Sequence, residues 1–197
     1  NACTGSLGVE DAQKTAERIA LALEIPVTEA AVLSTGVIGV PLPMERILHG
    51  VDGCVKALSP AGHLDAAQAI MTTDTVAKEM SIEIPLSSGP MRLGAMAKGS
   101  GMIAPNMATM IAVLTTDARI APGDLRGALK DCVDRSFNCM CVDNDMSTSD
   151  AVVCLANGMA MRDALKPGTR DFEAFSEALN QICIAMAQAV VRDGEGA

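Results

Sequence analysis

Tryptophan and tyrosine are absent from this 197-residue chain, and phenylalanine occurs only three times. Hydrophobic residues still make up 49% of it, so a core must be assembled from Ala, Val, Ile, Leu and Met. Side chains of that size let secondary-structure elements approach closely. The missing rings leave little to stack on bases, and positive charge is scarce as well. Lys and Arg number 15 against 24 Asp and Glu, a net charge of −9, with no basic run anywhere. Phosphate-backbone binding needs clustered cations, so nucleic acid is not an expected partner.

Histidine is nearly absent too: His49 and His63 are the only two, and neither sits in a nucleophile motif. The seven cysteines are an odd number, and most lie in apolar contexts such as "AVVCLA" and "QICIAMA". Buried free thiols of a reducing compartment are expected. The "CMC" at Cys139 to Cys141 lacks a second cysteine pair, so no metal site is expected. No apolar run of membrane-spanning length is apparent, and no secretory leader pattern opens the chain. These absences point to a soluble intracellular protein that does not engage membranes. The abrupt "NACTG" and "DGEGA" ends read as cuts within a longer protein.

The residues present are strongly periodic. "LGVEDAQKTAERIALAL" places Leu7, Ala12, Ala16, Ile19, Ala20 and Leu23 on one helical stripe. "EAAVLSTGVIGVPLP" reads as a short strand entering a Thr-Gly turn. "PMERILHGVDGCVKAL" reads as a helix with Pro43 in its first turn, and "HLDAAQAIM" as a shorter one. Beyond "TTDT" the texture changes: "SIEIPL" alternates as a strand, and "MRLGAMAKGSGMI" and "ATMIAVLTTDA" follow around a glycine-rich corner. "GDLRGALKDCVDRSF" is an amphipathic helix, "AVVCLANG" a buried strand, and "FEAFSEALNQICIAMAQAVVRDG" a long closing helix. No linker divides the chain, so residues 1–197 are expected to be one domain, an α+β layered sandwich without regular βαβ alternation.

The stretch "GMIAPNMATM" carries no charge over ten residues, yet places a hydroxyl at Thr109. A threonine hydroxyl needs an adjacent base to act as a nucleophile. Were Thr109 the first residue of a chain, its own α-amine, titrating near ~8, would serve. That requires the Ala108–Thr109 bond to break first, and Gly99, Gly101 and small neighbours would let the backbone bend for an N-to-O acyl shift. Equally, "ATMIAVLTT" is a good buried strand, and Lys98 has the ordinary alternative of a solvated lysine. "KGSG" lacks the spacing of a phosphate loop. The residue types leave these alternatives open.

"NACTG", "STGVIG", "MTTDT", "AKGSGMIAPNMATM", "SFN…VDNDMSTSD" and "DGEGA" occur in order along the whole chain. Together they resemble the ornithine acetyltransferase (glutamate N-acetyltransferase) family of arginine biosynthesis, of which this chain is similar to an internal portion. The resemblance implies a layered αββα sandwich of the self-processing N-terminal-nucleophile type. It implies cleavage between Ala108 and Thr109 into an α-chain part (1–108) and a β-chain part (109–197), with Thr109 as nucleophile. By the same resemblance Thr35 and Gly36 stabilise the oxyanion, while Thr72, Lys98, Thr109 and Glu195 bind substrate. The implied reaction moves acetyl from N-acetylornithine to glutamate through an acetyl-threonine. It needs no cofactor, although acetyl-CoA is a possible second donor. The αβ units would form a homo-oligomer, in bacterial cytoplasm or an organelle matrix.

Members of that family usually carry "DGDTSTND" where this chain has "DNDMSTSD", Asp143 to Asp150. Asn144 can stand for a glycine because Asn tolerates left-handed φ. Met146 removes a hydroxyl and Ser149 shortens an amide. The alternatives to the transferase are an amidase or aminopeptidase with the same nucleophile logic, and an uncleaved homologue without catalysis.

Overall fold

The computed structural model describes residues 2–103, 110–145 and 147–194. The chain divides into two compact units, residues 1–66 and 67–197.

In the first unit, α1 (Gly5–Leu23) stops where Glu24 turns left-handed at φ 57°, its N–H donating to the Ala20 carbonyl. Pro26 follows and leads into a 3-10 turn, Val27–Glu29. α2 (Met44–Lys56) starts after Pro43, whose carbonyl accepts from Arg46 and Ile47 at 3.0 and 3.2 Å. The two helices pack together, and Arg18 pairs with Asp52. The stripe expected on α1 is covered only in its middle. Ala20 is buried and Ala12, Ala16 and Ile19 are half-buried, whereas Leu7 and Leu23 are exposed. Among the described residues, the elements packed on α1 are α2 and the 3-10 turn, too little to cover five helical turns.

The strand expected in "EAAVLSTGVIGVPLP" does not form. Residues 30–36 have no regular structure, because this unit offers no described strand for them to pair with, and Val37, Ile38 and Val40 stay exposed.

α3 (His63–Ala69) precedes a four-stranded sheet in the order β1-β2-β3-β4. β1 (Lys78–Leu86) and β2 (Gly89–Lys98) form a hairpin whose two-residue turn, Ser87 and Ser88, leads into Gly89 at φ 121°, a conformation a side chain would strain. β3 (Ile111–Thr116) runs antiparallel to β2, and β4 (Ala151–Ala156) runs parallel to β3. Parallel pairing needs a crossover, supplied by α4 (Pro122–Asp134), which carries Pro in its first turn. α5 (Arg170–Arg192) closes the chain, with the Thr169 hydroxyl accepting from the Phe172 amide at 3.3 Å. The α+β class is therefore observed, with one parallel crossover in an otherwise antiparallel sheet.

Strand register explains the core. Ile84, Met91, Leu93, Ala95, Ala97, Ala112 and Leu114 share one face of the sheet, and α5 lays Phe175, Leu179, Ile182, Met186 and Val190 into the same cluster. Each large side chain so buried contributes roughly 1.5–3 kcal/mol. The opposite face carries Met96, Val113 and Val153 half-buried and Leu155 57% exposed. In a layered αββα arrangement that is the face a second sheet takes.

Two sequence expectations need correcting. α5 is long and apolar enough, by length and composition, to cross a membrane, although no such run was apparent in the sequence. Its apolar side belongs to the core, which also calls for a long hydrophobic stripe. All seven cysteines are free, but only Cys132 and Cys183 are buried and Cys154 is half-buried. Cys3, Cys54, Cys139 and Cys141 are exposed: apolar neighbours in sequence alternate between inner and outer faces of short elements.

Candidate functional site

At one edge of the sheet, β1, β3 and β4 begin and β2 ends, and α5 ends beside them. Register places Lys78 opposite Ala97, Lys98 opposite Ile111, and Ile111 opposite Ala151. The loop after α3 delivers Thr72, Thr73, Asp74 and Thr75 to the same edge.

Asp74 is the hub. Its side chain is fully buried and accepts from the Lys78 ammonium at 2.7 Å, the Gly99 amide at 2.7 Å and the Thr72 amide at 3.1 Å. Burial pushes its pKa up, but the Gly99 amide, the Lys78 ammonium and the Thr72 amide together outweigh that and hold it below the ordinary carboxylate value. Lys78 also reaches Asp193, just past the end of α5, at 2.5 Å. Asp193 accepts in addition from the amide and hydroxyl of Thr75. Against the pull of burial, Lys78 and Thr75 bring Asp193 down to about 2. One ammonium thus ties the strand edge, the 72–75 loop and the end of α5 together.

Lys98 is among the largest fully buried side chains of the described residues, 2% exposed. Its ammonium donates to the Thr72 hydroxyl at 3.5 Å, so two residues expected to bind substrate are brought together. Burial lowers the Lys98 pKa, Asp74 and Asp150 counteract this, and Lys78 adds to it. Thr73 and Ser100 share a hydrogen bond at 2.6 Å beside them. A buried cation with neighbouring hydroxyls and backbone amides can bind a carboxylate.

The segment 104–109 contains Ala108 and Thr109, which lie outside the described residues, as do Glu195 and Met146. The chain on both sides of that segment is held by a single loop. Asp143 accepts from the amides of Met102 and Ile103, the latter at 2.7 Å, and Asp150 accepts from the Met110 amide at 2.7 Å. Main-chain bonds reinforce both grips, Val142 N–H to the Ile103 carbonyl at 2.7 Å and Ala151 N–H to the Met110 carbonyl at 3.1 Å. Asn144 within the loop adopts φ 64°, a left-handed conformation that Asn tolerates. The tight bend expected from Gly99 and Gly101 is taken at Gly99 (φ 146°) and at Met102, which stands left-handed at φ 57°. Met102 is held in that unfavourable conformation by Asp143.

Thr35 and Gly36 lie in the irregular stretch of the first unit, Thr35 half-buried and Gly36 exposed. Sequence reasoning missed Asp74, Lys78, Asp150 and Asp193. Three of these stood inside motifs already noted, "MTTDT", "DNDMSTSD" and "DGEGA"; Lys78 carried no signal of its own.

The ArgJ family model matches residues 1–197. An arginine biosynthesis bifunctional protein of Symbiobacterium thermophilum is 50% identical over 197 residues, 100% of this chain and 49% of that protein. Its counterpart in Caldanaerobacter subterraneus subsp. tengcongensis is 46% identical, again over 100% of this chain and 49% of that protein. The chain thus spans about half the length of the curated relatives it matches. A crystal structure of the bifunctional protein from Bacillus halodurans is 44% identical, with a TM-score of 0.41 over 42% of this chain and 39% of that one. Matched by the family model from its first residue to its last, the chain belongs to the ArgJ family.

Proposed function

We propose that this chain is the central part of an acetyltransferase that cleaves itself between Ala108 and Thr109 and then transfers acetyl from N-acetylornithine to glutamate. The observation that carries the reading is the hydrogen bond from the buried Lys98 ammonium to the Thr72 hydroxyl, together with the two aspartates that grip the chain on either side of residues 104–109. The two units, residues 1–66 and 67–197, belong in this reading to one catalytic domain of an αβ enzyme that assembles into a homo-oligomer.

In this mechanism the freed Thr109 amine takes the proton of its own hydroxyl, and the oxygen attacks the acetyl carbonyl. Thr35 and Gly36 supply the donors for the oxyanion. Ornithine leaves, and the glutamate amine attacks the acetyl-threonine. Donor and acceptor both carry an α-carboxylate, for which the Lys98 ammonium and Thr72 hydroxyl are suited. Glu195 pairs with a substrate ammonium. Acetyl-CoA is a further possible donor, and no cofactor takes part. A cytoplasmic or organelle-matrix location accords with seven unpaired thiols.

The test is acetyl transfer by the complete protein, with labelled N-acetylornithine and glutamate assayed together. Labelled N-acetylglutamate and parallel-line kinetics are expected. Labelled acetate at the same rate with and without glutamate would make the protein an amidase, and no turnover would leave it a non-catalytic homologue.

A further inference from the structure

The carboxylate site needs two donors carried by two separate pieces of chain. One is the Lys98 ammonium at the end of β2; the other is the Thr72 hydroxyl on the loop after α3, 3.5 Å away. Donors so spaced can both reach one carboxylate oxygen, roughly 2.7–2.9 Å from each. A shift of about 1 Å in either removes that geometry, so the two pieces must be held in register.

The loop does not do this by itself. Across residues 71–76 its main-chain bonding, among the described residues, is that of Met71, whose N–H donates to the Gln68 carbonyl at 3.2 Å. Thr72 is exposed, so packing does not fix it. On the other side the chain leaves β2 at Lys98 and turns at once, with Gly99 at φ 146°.

Asp74 joins the two. Its Oδ1 accepts from the Gly99 amide and the Lys78 ammonium, both at 2.7 Å, and its Oδ2 accepts from the Thr72 amide at 3.1 Å. A single carboxylate, 0% exposed, thus grips the main chain of one donor residue and the main chain next to the other. The Thr73–Ser100 hydrogen bond at 2.6 Å adds a second tie between the same segments.

We propose that Asp74 is a positioning residue for substrate binding, its two oxygens holding the Thr72 hydroxyl and the Lys98 ammonium at the spacing that one substrate carboxylate requires. The inference rests on the reading of Lys98 and Thr72 as the carboxylate site. Lys78 has a different part, neutralising the enclosed carboxylate.

Asparagine at this position separates gripping from size, because its amide has one acceptor oxygen where the carboxylate has two. With that oxygen turned to Gly99, the NH2 group meets the Thr72 N–H, donor against donor. With it turned to Thr72, the NH2 group meets both the Gly99 N–H and the Lys78 ammonium, the worse arrangement. Asp74→Asn should therefore release Thr72 and leave the exit from β2 in place.

The experiment is steady-state kinetics of the complete enzyme with each substrate varied. Asp74→Asn should raise KM for N-acetylornithine and glutamate about tenfold or more while kcat changes less than about threefold, the pattern of lost binding common to ground and transition states. Combined with Thr72→Val, it should raise KM no further than the poorer single variant, since the hydroxyl it positions is gone. Leu179→Ala opens a cavity in the core under α5 and lowers stability without touching the grip, so its KM should match wild type. Should Asp74→Asn fail to fold, adding Lys78→Met replaces the buried ion pair by neutral side chains, and that double variant should show the same rise in KM. An unchanged KM in Asp74→Asn, factors that multiply with Thr72→Val, or an equal rise in Leu179→Ala overturns the proposal. An unchanged KM in both Thr72→Val and Lys98→Ala would instead defeat the carboxylate-site reading beneath it.

Discussion

Replacing Lys78 by Met tests the view that one buried ammonium organises the site edge. The side chain is 1% exposed and pairs with Asp74 at 2.7 Å and Asp193 at 2.5 Å, themselves 0% and 5% exposed. Met preserves the apolar stem and removes the charge, leaving two enclosed carboxylates without their cation. Breaking a buried ion pair from one side costs about 3–5 kcal/mol. The Gly99 and Thr72 amides still serve Asp74, and Thr75 still serves Asp193, which favours the lower end of that range. For a domain of this size the loss corresponds to a melting-temperature drop on the order of 10 °C, read by far-ultraviolet circular dichroism on the complete protein. The pH dependence carries the sign. Both carboxylates have lowered pKa values in the folded protein, Asp193 about 2, so their pairing stabilises above the unfolded value near ~4 and is lost as pH falls towards about 2. Without Lys78 the carboxylates can relieve their mutual repulsion by protonating at higher pH. The deficit of Lys78→Met should therefore be larger at pH 7.5 than at pH 4.5. A loss below 1 kcal/mol, or one independent of pH, would refute the reasoning.

Lys98→Ala should raise KM for both N-acetylornithine and glutamate by about 1.5–3 kcal/mol, the scale of hydrogen bonds to charged groups, since one pocket serves both in turn. Lys98→Arg should recover only part of this, because a planar fork does not replace a point charge in a buried site; steady-state kinetics with each substrate varied checks both variants. Thr35→Ala should cut kcat by ~10²–10³ with little change in KM, as expected of an oxyanion donor. A raised KM at unchanged kcat would make Thr35 a binding residue instead.

Much of this architecture was legible in the sequence because period and punctuation agree. "SIEIPL" alternates and became β1; Phe175, Leu179, Ile182, Met186 and Val190 keep helical spacing and became the buried stripe of α5. The failure at residues 30–36 is equally physical: a strand needs a partner, and apolar composition cannot show whether one is within reach. Lys98 and Thr72 were legible as binding residues only through the ordered motifs, since a lysine's burial is a property of its surroundings. Lys78 was invisible for the same reason, as its partners stand 4 and 115 positions away. In the sequence Asp150 is only the last residue of the "DNDMSTSD" motif. That it and Asp143 grip backbone amides on either side of residues 104–109 is a property of the fold, which brings positions forty residues apart together.

The central claim is that Thr109 becomes the first residue of a chain. Intact mass and N-terminal sequencing of the complete protein, beside its Thr109→Ala variant, address that directly. The account predicts two fragments from the wild type, one ending at Ala108 and one beginning at Thr109, and a single uncut chain from the variant. A wild type that remains one chain, or a Thr109→Ala variant that is cut as efficiently, would contradict it.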